Sequence, residues 1–123
     1  MSATAATLPD QRARRNPRGS CLADERQALD NAQFATAVAA AAARLAEAGL
    51  GRGDVLAIMM QNRVELVTSM FAAWRLGAAV TPVNPALTSQ EAWYQLEDAD
   101  ATLVVADAAS AAKLGNASPI VDV

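Results

Sequence analysis

Apolar residues in this chain follow two different spacings. Short apolar runs of strand length occupy residues 55–60, 79–83, 102–106 and 120–123. Between and before these runs, apolar residues recur at the spacing of one helix face, as Phe34, Val38 and Leu45 do. Mostly apolar strands that alternate with helices are typical of parallel sheets buried on both faces. The pattern therefore predicts an α/β fold, with a largely parallel sheet and helices on both of its faces.

The predicted helices have recognisable beginnings and ends. A capping box pairs Ser, Thr, Asp or Asn with a Glu or Gln three residues later, because the two side chains satisfy backbone N–H groups that the first turn leaves unpaired. Three such pairs occur, namely Asp30 with Gln33, Asn62 with Glu65, and Thr88 with Glu91. Glycines that can adopt a left-handed conformation mark the predicted helix ends at Gly49, Gly77 and Gly115.

The first 19 residues lack any such pattern. They contain four arginines and one aspartate, and no apolar segment of the kind that a secretory signal needs. We expect residues 1–19 to form a disordered tail, and a transit peptide is the less favoured alternative. Two short runs follow, Ser20–Ala23 and residues 28–29, on either side of a polar turn. We interpret them as a small hairpin.

Composition excludes several classes of chemistry. Since none of the 123 residues is histidine, the chain has no imidazole to bind a metal, activate a nucleophile or act as a general base. A single cysteine excludes an internal disulfide framework and a cysteine-based zinc site, and it fits a reducing compartment. The net charge of −3 argues against electrostatic binding of nucleic acid. No segment reaches the roughly 20 apolar residues of a membrane span, so we expect a cytoplasmic protein.

Two groups suggest phosphate chemistry, but each has a structural interpretation that we favour. Gly51 and Gly53 follow a helix and precede a strand, which is the reverse of the order that presents a helix N-terminus to a phosphate. They predict a tight turn. Lys113 is the only lysine and could polarise a phosphate or form a Schiff base. In the last turn of a predicted helix, it instead interacts favourably with the helix dipole.

The remaining candidates are also better explained by structure. Glu97, Asp98 and Asp100 could bind Mg²⁺, but a solvated helix end accounts for them. Cys21 has no neighbouring base except arginines, which disfavours a nucleophile. The apolar stripe at residues 70–74 is more typical of a core than of a ligand platform. The sequence therefore assigns no catalytic, cofactor-binding or metal-binding residue.

An ordered series of caps and turns runs through residues 28–106. It comprises Leu50-Gly51, Gly53-Asp54, Asn62 with Glu65, Gly77-Ala78, Pro82-Val83-Asn84-Pro85 and Thr88. In this order the series resembles the opening of the adenylate-forming (AMP-binding) enzymes, and in particular the acyl-CoA synthetase or fatty-acid–CoA ligase family. The chain departs from the family at Gln61, where a Pro is common, and at Asp30-Asn31, where Thr-Tyr is usual. Both departures keep the capping chemistry.

The resemblance implies a fold and a reaction. Residues 20–123 would form an incomplete α/β subdomain, the first part of the large N-terminal domain. In such enzymes a carboxylate attacks the α-phosphate of ATP, which gives an acyl-adenylate and pyrophosphate, and the thiol of CoA then displaces AMP. The family's groups for ATP, Mg²⁺ and CoA lie beyond the matched part, so the resemblance transfers no functional residue. Some relatives carry a basic residue near CoA where this chain has Tyr94 and Gln95.

Two functions follow from these observations. The favoured one is the N-terminal fragment of an acyl-CoA ligase, inactive alone, whose partner is the remaining ligase segment or another copy of the chain. The alternative is a stand-alone, non-catalytic α/β interaction module.

Overall fold

The fold places a hairpin and a helix ahead of a parallel α/β sheet. The computed structural model describes residues 3–115 and 120–122. The elements of these residues, in chain order, are α1 (Ala3–Arg15), β1 (Ser20–Ala23), β2 (Ala28–Asp30), α2 (Asn31–Glu47), β3 (Val55–Met59), α3 (Val64–Arg75), β4 (Ala79–Pro82), α4 (Ser89–Asp98), β5 (Leu103–Ala106), α5 (Ala108–Leu114) and β6 (Ile120–Asp122). No helix among the described residues has the length and apolar character that crossing a bilayer requires.

The larger sheet has the strand order β4-β3-β5-β6, and all of its pairings are parallel. Strand β3 is flanked on both sides, with Leu56 opposite Val80 of β4 and Leu103 of β5. The predicted parallel sheet is therefore confirmed. Its last predicted strand is present as Ile120–Asp122, and Val123 lies outside the described residues.

Alternate residues of β3 point to opposite faces of the sheet, as the pleat of a strand requires. Leu56 and Ile58 pack in a cluster with residues of α2 and α3. Ala57 and Met59 pack in a second cluster with residues of α4 and α5. At most 1% of any of these four residues is exposed. Helices thus cover both faces of the sheet, as the uninterrupted apolar runs predict.

Two of the three predicted capping boxes are present. At the start of α2, the N–H of Gln33 donates to the Asp30 side chain, and the Asp30 N–H donates to the Gln33 side chain. Thr88 and Glu91 make the same exchange at the start of α4. The predicted end of α2 is also confirmed, because Gly49 has a φ of 105° just beyond the helix.

The N-terminal segment differs from the expected disordered tail, because most of it is helix α1. Several contacts hold it against the rest of the chain. Pro9 is buried, Asp10 forms a salt bridge with Arg75 at 3.0 Å, and the N–H of Ala32 donates to the carbonyl of Pro17 at 3.0 Å. An isolated helix of this length is marginal in water. Tertiary contact with α2 and α3 therefore explains why a helix forms where the local sequence does not predict one.

The hairpin prediction is confirmed. Strands β1 and β2 pair antiparallel, with Ala23 opposite Ala28. Its turn reaches the start of α3, which brings a distant part of the chain to the carboxyl edge of the sheet.

Candidate functional site

A cavity lies where the loop after β3 meets the turn of the hairpin. Its volume is about 520 Å³, it is open to solvent, and it is lined by Ala23, Asp24, Glu25, Arg26, Gln61, Asn62 and Arg63. Open α/β sheets bind ligands in crevices outside the carboxyl ends of their strands. We therefore take this space, the carboxyl-edge cavity, as the candidate functional site.

Asp107 ties the ends of two strands together beside this cavity. It directly follows β5, and only 4% of it is exposed. One carboxylate oxygen accepts the N–H of Ser110 at 2.9 Å and so caps α5. The other accepts the N–H of Gln61 at 3.3 Å, in the loop after β3. A single buried carboxylate therefore fixes both the start of α5 and the loop that lines the cavity.

The surroundings of Asp107 favour its ionised form. Burial raises the pKa of this carboxyl group, but hydrogen bonds from Ser110 and from the Gln61 N–H lower it, and so does the charge of Arg63. The combined effect is a pKa below the ordinary aspartate value. Asp107 is therefore an anion near neutral pH, with both oxygens already accepting hydrogen bonds.

Asp24 performs a similar task from the hairpin turn. One of its carboxylate oxygens accepts the N–H groups of Arg26 and Gln27, at 2.7 Å and 2.9 Å. The other accepts the N–H of Val64 at 2.7 Å and thereby caps α3 from 40 residues away. Hydrogen bonds from Val64 and Arg26 lower the pKa of Asp24, and this lowering outweighs the effect of burial.

This arrangement corrects the predicted capping pair of Asn62 with Glu65. Helix α3 begins one residue later than that pair requires, with Arg63 at the cap position and no side-chain cap of its own. The Glu65 carboxylate instead accepts a hydrogen bond from the Gln27 side chain at 2.8 Å. Asn62 is exposed in the loop that lines the cavity. The prediction was wrong because a residue distant in sequence supplies the cap.

Replacing Asp24 with Ala should lower the thermal unfolding midpoint, because three backbone N–H groups lose their acceptor at once. The matched substitution Asn62→Ala should leave the midpoint unchanged, since Asn62 caps nothing. Circular dichroism melts of the two variants and the parent chain provide the measurement. A larger loss for Asn62→Ala than for Asp24→Ala would show that α3 is capped locally.

The two carboxylates at the carboxyl-edge cavity are suited to holding loops in place rather than to proton transfer. A carboxylate that accepts backbone hydrogen bonds and has a lowered pKa is a weak base near neutral pH. Among residues 3–115 and 120–122, no group of three or more His, Cys, Asp or Glu side chains could hold a metal ion. Asp24 and Asp107 position backbone N–H groups at the carboxyl edge of the sheet.

The glycine candidates form the predicted tight turn between α2 and β3. Gly53 has a φ of 84°, and its N–H donates to the carbonyl of Gly77 at 3.0 Å. The N–H of Gly51 donates to the Asp54 side chain at 2.8 Å. Both glycines lie before the amino end of β3, whereas the cavity lies beyond its carboxyl end.

The other candidates lie apart from the cavity lining. Lys113 lies in the last turn of α5, and its ammonium group donates to the carbonyl of Pro85 at 2.6 Å. Glu97 and Asp98 are exposed at the end of α4, and Asp100 is exposed just after it. This agrees with their interpretation as a solvated helix end. Cys21 lies in a separate apolar pocket beside Phe71.

The apolar stripe on α3 is part of the packing. The Phe71 ring meets Phe34 at 5.6 Å and Trp74 at 5.0 Å between centroids, both edge to face. Met70 packs against the cluster around Ile58. The core interpretation of this stripe therefore fits its contacts. Tyr94, in contrast, is 69% exposed on α4.

Sequence reasoning missed both carboxylates of the site. Asp107 does carry a local signal, because it stands between a buried strand and a helix, where an Asp commonly caps. Asp24 carries a local signal only for its turn, through Arg26 and Gln27. Nothing local indicates that it caps α3, because Val64 is 40 residues further along the chain.

Comparisons with known proteins agree with this architecture. Residues 9–122 match the model of the family described as AMP-binding enzyme. The 2-succinylbenzoate–CoA ligase of Geobacillus kaustophilus is 39% identical over 104 residues, which are 82% of this chain and 21% of that protein. The chain thus spans about a fifth of the length of that relative.

Solved structures show the same fold. The N-terminal domain of FACL13 from Mycobacterium tuberculosis superposes with a TM-score of 0.85 at 27% identity, over 96% of this chain and 32% of that one. The O-succinylbenzoate coenzyme A synthetase MenE of Bacillus subtilis, solved in complex with ATP and a magnesium ion, gives a TM-score of 0.83 at 30% identity. That match covers 93% of this chain and 32% of MenE.

Proposed function

We propose that this chain, which belongs to the AMP-binding enzyme family, forms the first layers of the large N-terminal domain of an acyl-CoA ligase. The complete ligase would convert a carboxylic acid and ATP into an acyl-adenylate and pyrophosphate, and would then transfer the acyl group to CoA. The observation that carries the proposal is the similarity to a CoA ligase over 82% of this chain but only 21% of that protein.

The glycine turn of this chain is not arranged to hold the phosphates of ATP, because it precedes a strand instead of opening a helix. We therefore assign the ATP, Mg²⁺ and CoA sites to the remaining ligase segment, and expect this chain to be inactive alone. Its own contribution is structural, because Asp24 and Asp107 fix the loops at the carboxyl edge.

The partner that fits this role is the remaining ligase segment. Strand β4 lies at the edge of the sheet, with Ala79 and Pro82 exposed, and an unpaired edge is a common site of association. Without its partner, the chain is expected to self-associate. The single cysteine fits a reducing compartment. Because the complete ligase would also use ATP and CoA, we propose the cytoplasm as its compartment.

A chimera tests the proposal. In it, this chain replaces the matched segment of the G. kaustophilus ligase, and acid-dependent exchange of pyrophosphate into ATP is measured. We expect exchange from the chimera, and none above a blank preparation from the chain alone. Exchange by the pure chain would contradict the assignment of the ATP site to another segment.

Sedimentation at several concentrations distinguishes the alternative function. A ligase piece should associate alone and become a defined complex when the remaining ligase segment is co-expressed. A chain that stays monomeric, unfolds cooperatively, does not bind that segment and gives an inactive chimera would instead be a stand-alone interaction module.

A further inference from the structure

A second cavity is lined by residues of α1, β1, α2 and α3. Its volume is about 160 Å³, and it is lined by Leu8, Pro9, Arg12, Cys21, Leu22, Phe34, Val67 and Phe71. We call it the α1 pocket. It shares no lining residue with the carboxyl-edge cavity.

The walls of the α1 pocket are apolar and well supported. Phe34 and Phe71 meet edge to face, at an interplanar angle of 87°, so their relative orientation is fixed by packing. Helix α1 forms the opposite wall, and the salt bridge from Asp10 to Arg75 joins it to α3. These contacts form the pocket from parts of the chain that are distant in sequence.

One charged side chain interrupts the apolar lining. Arg12 lines the pocket and is also exposed to solvent. In the part of the chain that the structure describes, the only salt bridge is the one between Arg75 and Asp10, which leaves Arg12 without a carboxylate partner. An unpaired guanidinium is a two-pronged donor that matches the geometry of a carboxylate.

We propose that the α1 pocket binds a small aromatic monocarboxylate, with its ring among the apolar side chains and its carboxylate on Arg12. An apolar cavity of about 150 Å³ is known to suffice for a benzene ring. The edge-to-face pair of Phe34 and Phe71 offers aromatic contact to such a ring. This inference does not depend on the proposed ligase function, because the pocket lies entirely within this chain.

Cys21 gives a direct readout, because it lines the pocket and is the only cysteine of the chain. The probe is benzoate, added to the full 123-residue chain while the rate of labelling by a thiol-specific disulfide reagent is followed. Benzoate should slow labelling in a saturable manner. No slowing at any benzoate concentration below that which perturbs the circular dichroism spectrum would overturn the proposal.

Two variants and one neutral probe separate specific binding from general effects. Arg12→Gln should weaken benzoate binding about tenfold, as expected for the loss of a charge-assisted contact. The control Arg14→Gln removes an exposed arginine of the same helix that does not line the pocket, and should bind benzoate as the parent does. Benzyl alcohol, which keeps the ring but lacks the charge, should protect the parent chain more weakly. Equal protection of the parent and Arg12→Gln by benzoate would refute the role of Arg12.

Discussion

Replacing Asp107 with Ala is expected to lower the free energy of unfolding by about 1–3 kcal/mol, because it removes the cap of α5 and leaves the buried N–H of Ser110 and the N–H of Gln61 without an acceptor. The two lost contacts are those from Ser110 and Gln61, at 2.9 Å and 3.3 Å. Chemical denaturation at neutral pH measures the change. Asp98→Ala, at an exposed position in the last turn of α4, is the matched control and should have little effect.

The same carboxylate makes a pH-dependent contribution whose sign follows from its pKa. Since the pKa of Asp107 is lower in the folded chain than its ordinary value, the folded state holds the proton less tightly than the unfolded state does. Its contribution is therefore complete above the ordinary aspartate pKa of about 3.9 and is lost as the pH falls through the folded value.

The variant Asp107→Asn isolates this effect. Its amide can still cap α5, but it cannot ionise. The stability difference between the parent and Asp107→Asn should be greatest near neutral pH and should shrink as the pH falls below about 4. Asp24 and Glu91 also have lowered pKa values, but they are common to both chains and largely cancel in the comparison. A difference that grows on acidification would contradict the ionised role of Asp107.

Enlarging Ala42 should destabilise the fold by roughly 1–3 kcal/mol, the usual cost of inserting methylene groups into a packed core. Ala42 is 5% exposed and packs in the cluster that contains Leu56 and Ile58. A leucine at this position would have to displace the sheet or α3. Urea denaturation of Ala42→Leu provides the measurement.

The adjacent residue gives a matched control for this substitution. Ala43 is exposed on the same helix, and Leu has nearly the helix propensity of Ala. Ala43→Leu should therefore change stability by less than about 0.5 kcal/mol. Equal losses from the two substitutions would show that α2 does not pack through the face that contains Ala42.

The elements that the sequence determined are those with a local signature. The apolar runs of β3 and β5 predicted strands buried on both faces, and both are buried on both faces. Asp30 and Thr88 cap the helices that they directly precede, since each acts on a backbone N–H three residues away. Such contacts depend on neighbouring residues, which are visible in the sequence itself.

Tertiary structure decided what depends on residues distant in the chain. Helix α1 is held by Asp10 on Arg75, 65 positions away, and α3 is capped by Asp24, 40 positions away. No local pattern in α1 or α3 indicates that Arg75 and Asp24 are their partners. The sequence therefore predicted a disordered tail and a cap at Asn62. Both cavities likewise combine side chains from separate elements. Local propensity sets which elements form, but only the packed chain determines which side chains from different elements meet, because that depends on how the sheet, helices and hairpin are arranged in space.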